Sequence, residues 1–491
     1  MKILYNNFDD ITWIDFFKVI NNNYKTDKVI IIDSLHFIKK AKYIFPNAIF
    51  FDLNECIKNN FDPENDLNII NHEIFRLHKD IAFDLLSRFC NDQSSSFNEK
   101  EKDKLYKSTI IFWYNFLKKE KINLCFSKLI PHHFYDYIIY LCCKILKIKF
   151  LFFIGTIVKH RFLLTSNIED RSLKILYKNK NLKLTNKENR IDYKNFKKKI
   201  GKDYMSSIPW YIDRHKFLKD NFNKYLIINF CKLILNFFKM SFTTKSLILM
   251  KKQKQSFNDN NYFFSKFDFD KYRINLTIKK KNLFKFYNII SETPDLKKKY
   301  IYFAAAYQPE SSNSPAGGHF QNHLKTLSLI NKNLPNDFLL YYKEHPTIFN
   351  PDLYFMGDIK RSRIYYEKLK ELEKLRFINL DFDSFKLIEN SFCVATISGE
   401  IGFEALFKKK PTIVFSKTWY YKNNAIFYVD NEMAFKKAII NISNKNYNFN
   451  KINNFFINFL ENSIKVETLA NGAKLNQSNI LKMTNFLNKK I

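Results

Sequence analysis

Three polar motifs in the second half of the chain each follow an apolar run that predicts a strand. They are YQPESSNSPAGG at 307–318, KEHP at 343–346 and TISGEIGFEAL at 396–406. Because the carboxyl ends of strands form the ligand crevice of an open α/β sheet, we expect the three motifs to line one site. Four of the eight glycines fall within them, where a backbone can approach a ligand closely.

The first motif combines an amide, a carboxylate and two glycines. Gln308 and Glu310 suit sugar hydroxyls, and a turn with Gly317 and Gly318 suits a phosphate. An ordinary surface loop is the alternative interpretation.

The second motif places His345 at the end of a strand, with Pro346 holding the preceding backbone extended. A histidine so placed can donate a hydrogen bond to a phosphate oxygen, and Lys343 adds positive charge nearby. A histidine with a purely structural role is the alternative.

The third motif is a small Ser-Gly turn that enters a predicted helix. Ser398 and Thr396 offer hydroxyl donors, and backbone amides at Gly399 lie where the helix dipole favours an anion. Glu404, about one turn further on, could bind ribose hydroxyls. A helix cap without a ligand is the alternative.

A bound metal is not required by this chemistry. The one Asp-x-Asp of the last third, Asp381-Phe382-Asp383, precedes a predicted helix, and the seven cysteines show no metal-binding spacing. We therefore expect neither a metal nor another cofactor.

Short apolar runs that predict strands alternate with helical patterns along the chain. This alternation indicates doubly wound α/β domains, which would position the motifs. A looser, Lys- and Asn-rich stretch divides the chain. We predict an N-terminal α/β lobe over 1–168 on the acceptor side and a C-terminal α/β lobe over 300–491 on the donor side. Between them we predict a helical bridging or insertion region over 169–299, in which the polar tract 251–261 is a linker or an insertion. The cleft should lie between the lobes. The predicted strands are 28–33, 48–53, 123–127, 149–155, 300–306, 338–342, 392–397 and 412–415, and the predicted helices of the first lobe are 72–88, 104–119 and 134–146.

Composition excludes several classes of protein. The 491 residues are 46% hydrophobic and 17% aromatic, which excludes a disordered chain. The formal net charge of +33 would attract nucleic acid or anionic lipid, but the lysines are scattered and no nucleic-acid-binding signature is present. We therefore attribute the charge mainly to solvated faces.

Free cysteines and the absence of a secretory signal at the N-terminus favour a cytoplasmic location. The most apolar stretches, 137–158 and 225–242, are interrupted by lysines and do not predict membrane spans. The second stretch fits either a core-packed helix or a basic amphipathic helix at the inner face of the cytoplasmic membrane.

The motifs at 300–425 resemble the capsule polysaccharide biosynthesis family, whose members include bacterial capsule β-Kdo transferases and similar surface-glycan glycosyltransferases. The resemblance rests on IYFAAAYQPESSNSPAGGHFQNHL, LPNDFLLYYKEHP and ATISGEIGFEALFKKKPTIVFSKTWYY. A weaker similarity runs from Pro131-His132-His133 through Asp136 to Thr156 and Arg161.

The resemblance implies a GT-B-like fold with two Rossmann-like lobes and metal-independent transfer from a nucleotide-activated donor, which is CMP-linked in the Kdo branch. It also implies that His345, Pro346, Ser398 and Gly399 contact the donor phosphate. The roles of Gln308 and Glu310 lie between donor binding and structure.

Glycosyl transfer also needs a base for the acceptor hydroxyl. We expect it from the first lobe, where Asp136, His132 and His133 are candidates, and Glu310 is the candidate from the second lobe. Arg161 could bind an acidic acceptor or form a salt bridge.

The leading hypothesis is a surface-polysaccharide glycosyltransferase that takes a nucleotide sugar and a glycan or glycolipid acceptor and binds no nucleic acid. The alternatives are a polyol-phosphate transferase of the teichoic-acid type and a non-catalytic protein that binds or exports capsule.

Overall fold

A computed structural model describes most of the chain as two α/β lobes. The described residues are 1–8, 11, 13–53, 56, 67–89, 99–177, 183–201, 218–241, 266–308, 310–350, 361–466 and 477–488. Pro309 and the linker predicted at 251–261 lie outside them.

The first lobe is built on a sheet of seven strands. They are β1 (Lys2–Asn6), β2 (Lys28–Asp33), β3 (Ile49–Asp52), β4 (Leu124–Ser127), β5 (Lys149–Gly155), β6 (Arg161–Thr165) and β14 (Ile464–Lys465). Their order in the sheet is β14-β6-β5-β4-β1-β2-β3. The centre from β5 to β3 is parallel, whereas β6 pairs antiparallel with both β5 and β14.

Helices cover both faces of this sheet, because alternate strand residues point to opposite sides and are apolar on each. Leu4 and Ile30 pack with Trp113 on one face, and Ile3 packs with Phe16 on the other. The helices of the first half of the chain are α1 (Trp13–Asn23), α2 (Leu35–Ile44), α3 (Glu73–Phe89), α4 (Glu99–Glu120), α5 (Phe134–Ile145), α6 (Lys187–Gly201), α7 (Leu218–Ser241) and α8 (Lys266–Ile290).

The second lobe contains a fully parallel seven-stranded sheet with the order β13-β12-β11-β8-β9-β10-β7. The strands are β7 (Ser291–Glu292), β8 (Lys299–Ala304), β9 (Phe338–Lys343), β10 (Leu375–Ile378), β11 (Cys393–Thr396), β12 (Thr412–Val414) and β13 (Ile426–Tyr428). The helices are α9 (His323–Asn333), α10 (Arg363–Lys370), α11 (Ser384–Asn390), α12 (Ile401–Phe407), α13 (Glu432–Ser443), α14 (Ile452–Asn462) and α15 (Gln477–Asn488).

Polar caps fix where several helices begin, as expected when a side-chain oxygen accepts an otherwise unpaired amide of the first turn. The capping residues are Ser34, Asn322, Ser362, Asp383 and Asn431.

The end of the chain returns to the first lobe, although the sequence analysis assigned all of 300–491 to the second. β14 pairs with β6, and α15 packs against α1. The physical reason is that β14 satisfies the backbone groups that β6 would otherwise expose at the edge of the sheet. The boundaries at 168 and 299 stay a prediction.

The predicted fold class is confirmed in its coarse form: the protein is α/β, with two lobes that are each built on a largely parallel sheet. The GT-B-like arrangement of the lobes stays a prediction. Within the described residues, no helix has the length and apolar character needed to cross a membrane.

Candidate functional site

The three motifs of the second lobe meet at one edge of its sheet. β11, β8 and β9 are neighbours, so their carboxyl ends lie side by side. The loop after β8 contacts both flanking motifs: the Tyr307 ring lies 5.9 Å from the His345 ring, and the Ser398 hydroxyl donates to the Ser312 carbonyl at 2.6 Å. We call this edge the donor edge.

His345 is held in a defined orientation at the donor edge. It caps the turn Pro346–Phe349, and its Nδ1 accepts a hydrogen bond from the Thr347 amide at 3.3 Å. Because Nδ1 accepts, the proton of the neutral ring lies on Nε2. Pro346 occupies the first position of the turn, where its missing amide costs nothing. His345 therefore presents an N–H donor.

Glu344, which precedes this histidine, is fully buried against Arg361. The Arg361 Nε donates to the Glu344 carboxylate at 2.6 Å, and the two side chains are 1% and 0% exposed. Burial alone would lower the pKa of Arg361, but the Glu344 carboxylate raises it well above its ordinary value. The charge of Glu344 is thus compensated inside the lobe and does not oppose an anionic ligand.

Gln308 belongs to the same buried network. Its side-chain oxygen accepts from Arg361 Nη1 at 2.7 Å, and its amide donates to the Gln321 carbonyl. Gln321 in turn donates to Asp84 of α3 in the first lobe at 2.7 Å. The contacts give Gln308 a structural part beside its predicted role in donor binding.

Lys343 lies beneath the donor edge with 4% of its surface exposed. Its ammonium group donates to the Phe382 carbonyl and, at 2.9 Å, to the Ser384 hydroxyl. Burial lowers the pKa of Lys343 to about 7.

Phe382 also lines a cavity of about 410 Å³ at the carboxyl end of β10. Asp383 caps α11, accepting from the Phe385 amide at 2.7 Å.

The Ser-Gly turn is stabilised internally. The Thr396 hydroxyl accepts from the Gly399 amide at 3.2 Å, and a Cβ at Gly399 would lie 2.8 Å from that hydroxyl. Glycine is therefore required, and its amide is engaged by Thr396. Glu404 on α12 forms an ion pair with Lys199 of α6 at 3.1 Å, a contact that the sequence did not predict.

Arg171, which follows β6 in the first lobe, reaches the donor edge. Its guanidinium donates to the Ser416 hydroxyl at 2.9 Å and to the Ser312 carbonyl at 3.5 Å. Burial lowers the pKa of Arg171 to about 10. Sequence analysis missed this residue, because a single arginine outside any motif gives no signal.

Two acids lie near Arg171. Glu400 is partly buried and accepts from the Trp419 indole at 3.0 Å, and the removal of its carboxyl from solvent raises its pKa to about 7. Glu310 is exposed and lies close enough to act electrostatically on both Arg171 and Glu400.

The first lobe has its own cavity, of about 260 Å³, at the carboxyl ends of β1 and β4. It collects the three base candidates of the first lobe together with polar groups from neighbouring strands. Its lining residues are Asn7, Leu53, Ser127, Lys128, Leu129, His132, His133 and Asp136.

Within this cavity His133 and Asp136 form a dyad. The His133 Nδ1 lies 3.1 Å from Asp136 Oδ2, and the His133 amide donates to Oδ1 at 2.8 Å. Since a carboxylate only accepts, the ring proton lies on Nδ1, and Nε2 carries the lone pair. Asp136 is 1% exposed, so it orients His133 from a buried position.

His132 has the same proton arrangement, because its Nδ1 lies 2.6 Å from the Ile130 carbonyl. One possible ligand atom from each of His132, His133 and Asp136 lies within 4.8 Å of the others, which is a spacing that could hold a metal ion. A metal at Asp136 would compete with the two hydrogen bonds that His133 donates to it.

Arg161 is held by buried contacts at the start of β6. It is 2% exposed, and its guanidinium contacts Asp192 at 2.7 Å, the Leu460 carbonyl at 2.8 Å and Asn189. The contacts favour a structural part in joining β6 to α6 and α14. Binding of an acceptor by Arg161 stays a prediction.

Residues 293–424 match the family described as capsule polysaccharide biosynthesis protein. No curated protein sequence matches the chain.

Solved structures similar to this chain include the β-Kdo 2,7 transferase of Thermosulfurimonas dismutans, at 10% identity over 99% of each chain and a TM-score of 0.32. The UDP-GlcNAc 2-epimerase of Methanocaldococcus jannaschii is similar at 14% identity over 100% of each chain, with a TM-score of 0.24. A wall teichoic acid polymerase is similar at 10% identity over 100% of this chain and 89% of that chain, with a TM-score of 0.23.

The matched range holds the donor edge with His345, Ser398 and the loop after β8. The resemblance of this chain to the capsule polysaccharide biosynthesis family is therefore confirmed, on residues 293–424.

Proposed function

We propose that this protein is a glycosyltransferase of surface-polysaccharide synthesis, which moves a sugar from a nucleotide-activated donor to a glycan or glycolipid acceptor without a metal. One observation carries the proposal. The three motifs within the family match converge on the donor edge, through the contacts of Tyr307 with His345 and of Ser398 with Ser312.

The donor edge supplies what the leaving phosphate needs. As the bond between the anomeric carbon and the phosphate oxygen breaks, negative charge develops on that oxygen. The Nε2–H of His345 can donate to it. Ser398 has a positioning part, because its hydroxyl donates to the Ser312 carbonyl and so fixes the loop after β8 at the donor edge. Arg171 contributes positive charge from the first lobe.

The first-lobe cavity supplies the base. The acceptor hydroxyl loses its proton to Nε2 of His133 as its oxygen bonds to the anomeric carbon, and Asp136 stabilises the imidazolium that forms. In this assignment His133, and not Asp136 itself, is the base, since both Asp136 oxygens already accept hydrogen bonds from His133. His132 lines the same cavity and is the second candidate.

The test is a thermal-shift panel of CMP, UDP, GDP, ADP and CDP, because a ligand that binds only the native state raises the melting temperature. We expect one nucleotide, CMP in the first place, to stabilise the protein, and His345→Ala to remove that shift with the fold intact. His36→Ala, which alters an exposed histidine of the first lobe, is the matched control. If no nucleotide shifts the melting temperature, or if His345→Ala keeps the full shift, the proposed donor site is wrong.

A further inference from the structure

Two long helices, α7 and α8, pack against one another on the second lobe. The Phe222 and Phe284 rings lie 5.9 Å apart, and Lys281 donates to Asn223 at 2.7 Å. α8 is anchored to the turn that follows His345, because the buried Lys280 ammonium donates to the Asn350 carbonyl at 2.9 Å. The helix pair therefore stands next to the donor edge.

α7 turns an apolar face outward. Ile227 is 63% exposed, Phe230 55% and Leu235 58%, and Ile234 and Ile228 are 40% and 38% exposed. These five residues, which we call the outer stripe, recur at helical spacing, while Phe222 and Asn229 are buried on the opposite side. A surface helix normally shows its polar face to water. The outer stripe therefore indicates that this face of α7 contacts an apolar partner.

The charges along most of α7 and α8 are positive. Residues 221–241 and 271–290 contain lysines and one arginine, and the acids of the two helices, Asp220, Asp268 and Asp270, lie near the helix starts. Lys224 and Lys232 are exposed on α7 itself, and Lys285 is exposed on α8. A surface that is both apolar and positively charged is complementary to an anionic lipid bilayer, which offers negative head groups above a hydrocarbon layer.

We propose that α7 lies in the interface of an anionic membrane, with the outer stripe inserted among the lipids and the lysines at the head groups. The helix pair then holds the turn after His345 close to the bilayer. If the proposed function is correct, this orientation brings the donor edge within reach of a lipid-linked acceptor. The membrane contact itself does not depend on that function.

Vesicle co-sedimentation of the full chain tests the proposal. We expect binding to vesicles of phosphatidylglycerol and phosphatidylcholine to exceed binding to pure phosphatidylcholine by about tenfold, and to weaken as salt is raised. The triple variant Ile227→Asn, Phe230→Asn, Ile234→Asn should lower the binding to anionic vesicles by about tenfold. The matched control is Met433→Asn with Ile440→Asn on α13, where side chains of 80% and 58% exposure lie outside the stripe.

Three results would overturn the proposal. The first is equal sedimentation of the triple variant and the wild type, and the second is no binding of the wild type to anionic vesicles. The third is self-association of the wild type in size-exclusion chromatography that the triple variant abolishes, which would assign the outer stripe to a second copy. The circular dichroism spectrum confirms that the variants fold. The nucleotide panel contains no lipid, so a failure there is distinguishable from a failure here.

Discussion

Each lobe holds a histidine beyond the carboxyl ends of its parallel strands. The two histidines differ in which ring nitrogen carries the proton. Nδ1 of His133 donates to the Asp136 carboxylate, which leaves the lone pair on Nε2. Nδ1 of His345 accepts from the Thr347 amide, which leaves the proton on Nε2. One ring is therefore prepared to take a proton and the other to donate a hydrogen bond.

This difference arises from local backbone structure. His133 immediately precedes α5, where an acid three residues on can reach back to it, whereas His345 caps a turn opened by Pro346. The same residue type thus acquires two roles from the group that its Nδ1 contacts. Transfer needs both roles, one at the acceptor hydroxyl and one at the leaving phosphate.

The largest effect is expected from His133→Ala. Removal of the base should reduce turnover about 100- to 10,000-fold while the nucleotide that stabilises the wild type still binds. Release of nucleotide from the corresponding sugar donor measures turnover, and the thermal shift measures binding. His36→Ala serves as the control for histidine loss at the surface.

The variant Asp136→Asn tests whether the Asp136 carboxylate sets the position of the ring proton on His133. An amide can donate to Nδ1 and so favour the wrong tautomer, and turnover should fall with little change in nucleotide binding. Activity near that of the wild type in both variants would show that the first-lobe dyad is not the base.

Several strands with apolar residues on both faces could be predicted from the sequence, although β1 and β6 could not. The predicted strands at 28–33 and 149–155 have the bounds of β2 and β5, and 338–342 falls one residue short of β9. The shorter strands β10 and β14 gave no such signal. β14 in particular forms only because β6, some 300 residues earlier in the chain, offers an edge.

The candidate site could be predicted only in part. Its motifs are local, so His345 and Ser398 could be located from strand ends and turn residues. Arg171 and Arg361 could not, because their partners lie far away in the sequence: Ser416 is 245 residues from Arg171, and Gln308 is 53 residues from Arg361. The proton positions on the two histidines likewise follow from hydrogen bonds that exist only in the folded chain.

The next prediction concerns the support of His345. Glu344→Ala would leave the Arg361 guanidinium buried without its carboxylate, which typically costs about 3–5 kcal/mol of unfolding free energy. Urea unfolding measures the loss. The double variant Glu344→Gln, Arg361→Met should recover part of it, because no unpaired charge then remains inside the lobe. A loss below about 1 kcal/mol for Glu344→Ala would contradict a buried ion pair at this position.

The smallest effect on stability is expected from a group at the contact between the two lobes. This contact matters for function because the two histidines can act together only while the lobes stay in contact. Glu400 lies there beside Arg171, and desolvation raises its pKa to about 7 from the ordinary value of a glutamate, 4.5. The native state then keeps a proton that the unfolded chain loses, so stability should fall as the pH rises from about 4.5 to 7, by at most about 1.4 kcal/mol per pH unit. Glu400→Gln is neutral at every pH and should flatten this decline in a series of urea titrations.

The control is Glu371→Gln, at an exposed position, which should show the same pH dependence of stability as the wild type. A wild-type decline that persists in Glu400→Gln would place the titrating group elsewhere, and the contact between the two lobes would then not depend on a protonated Glu400.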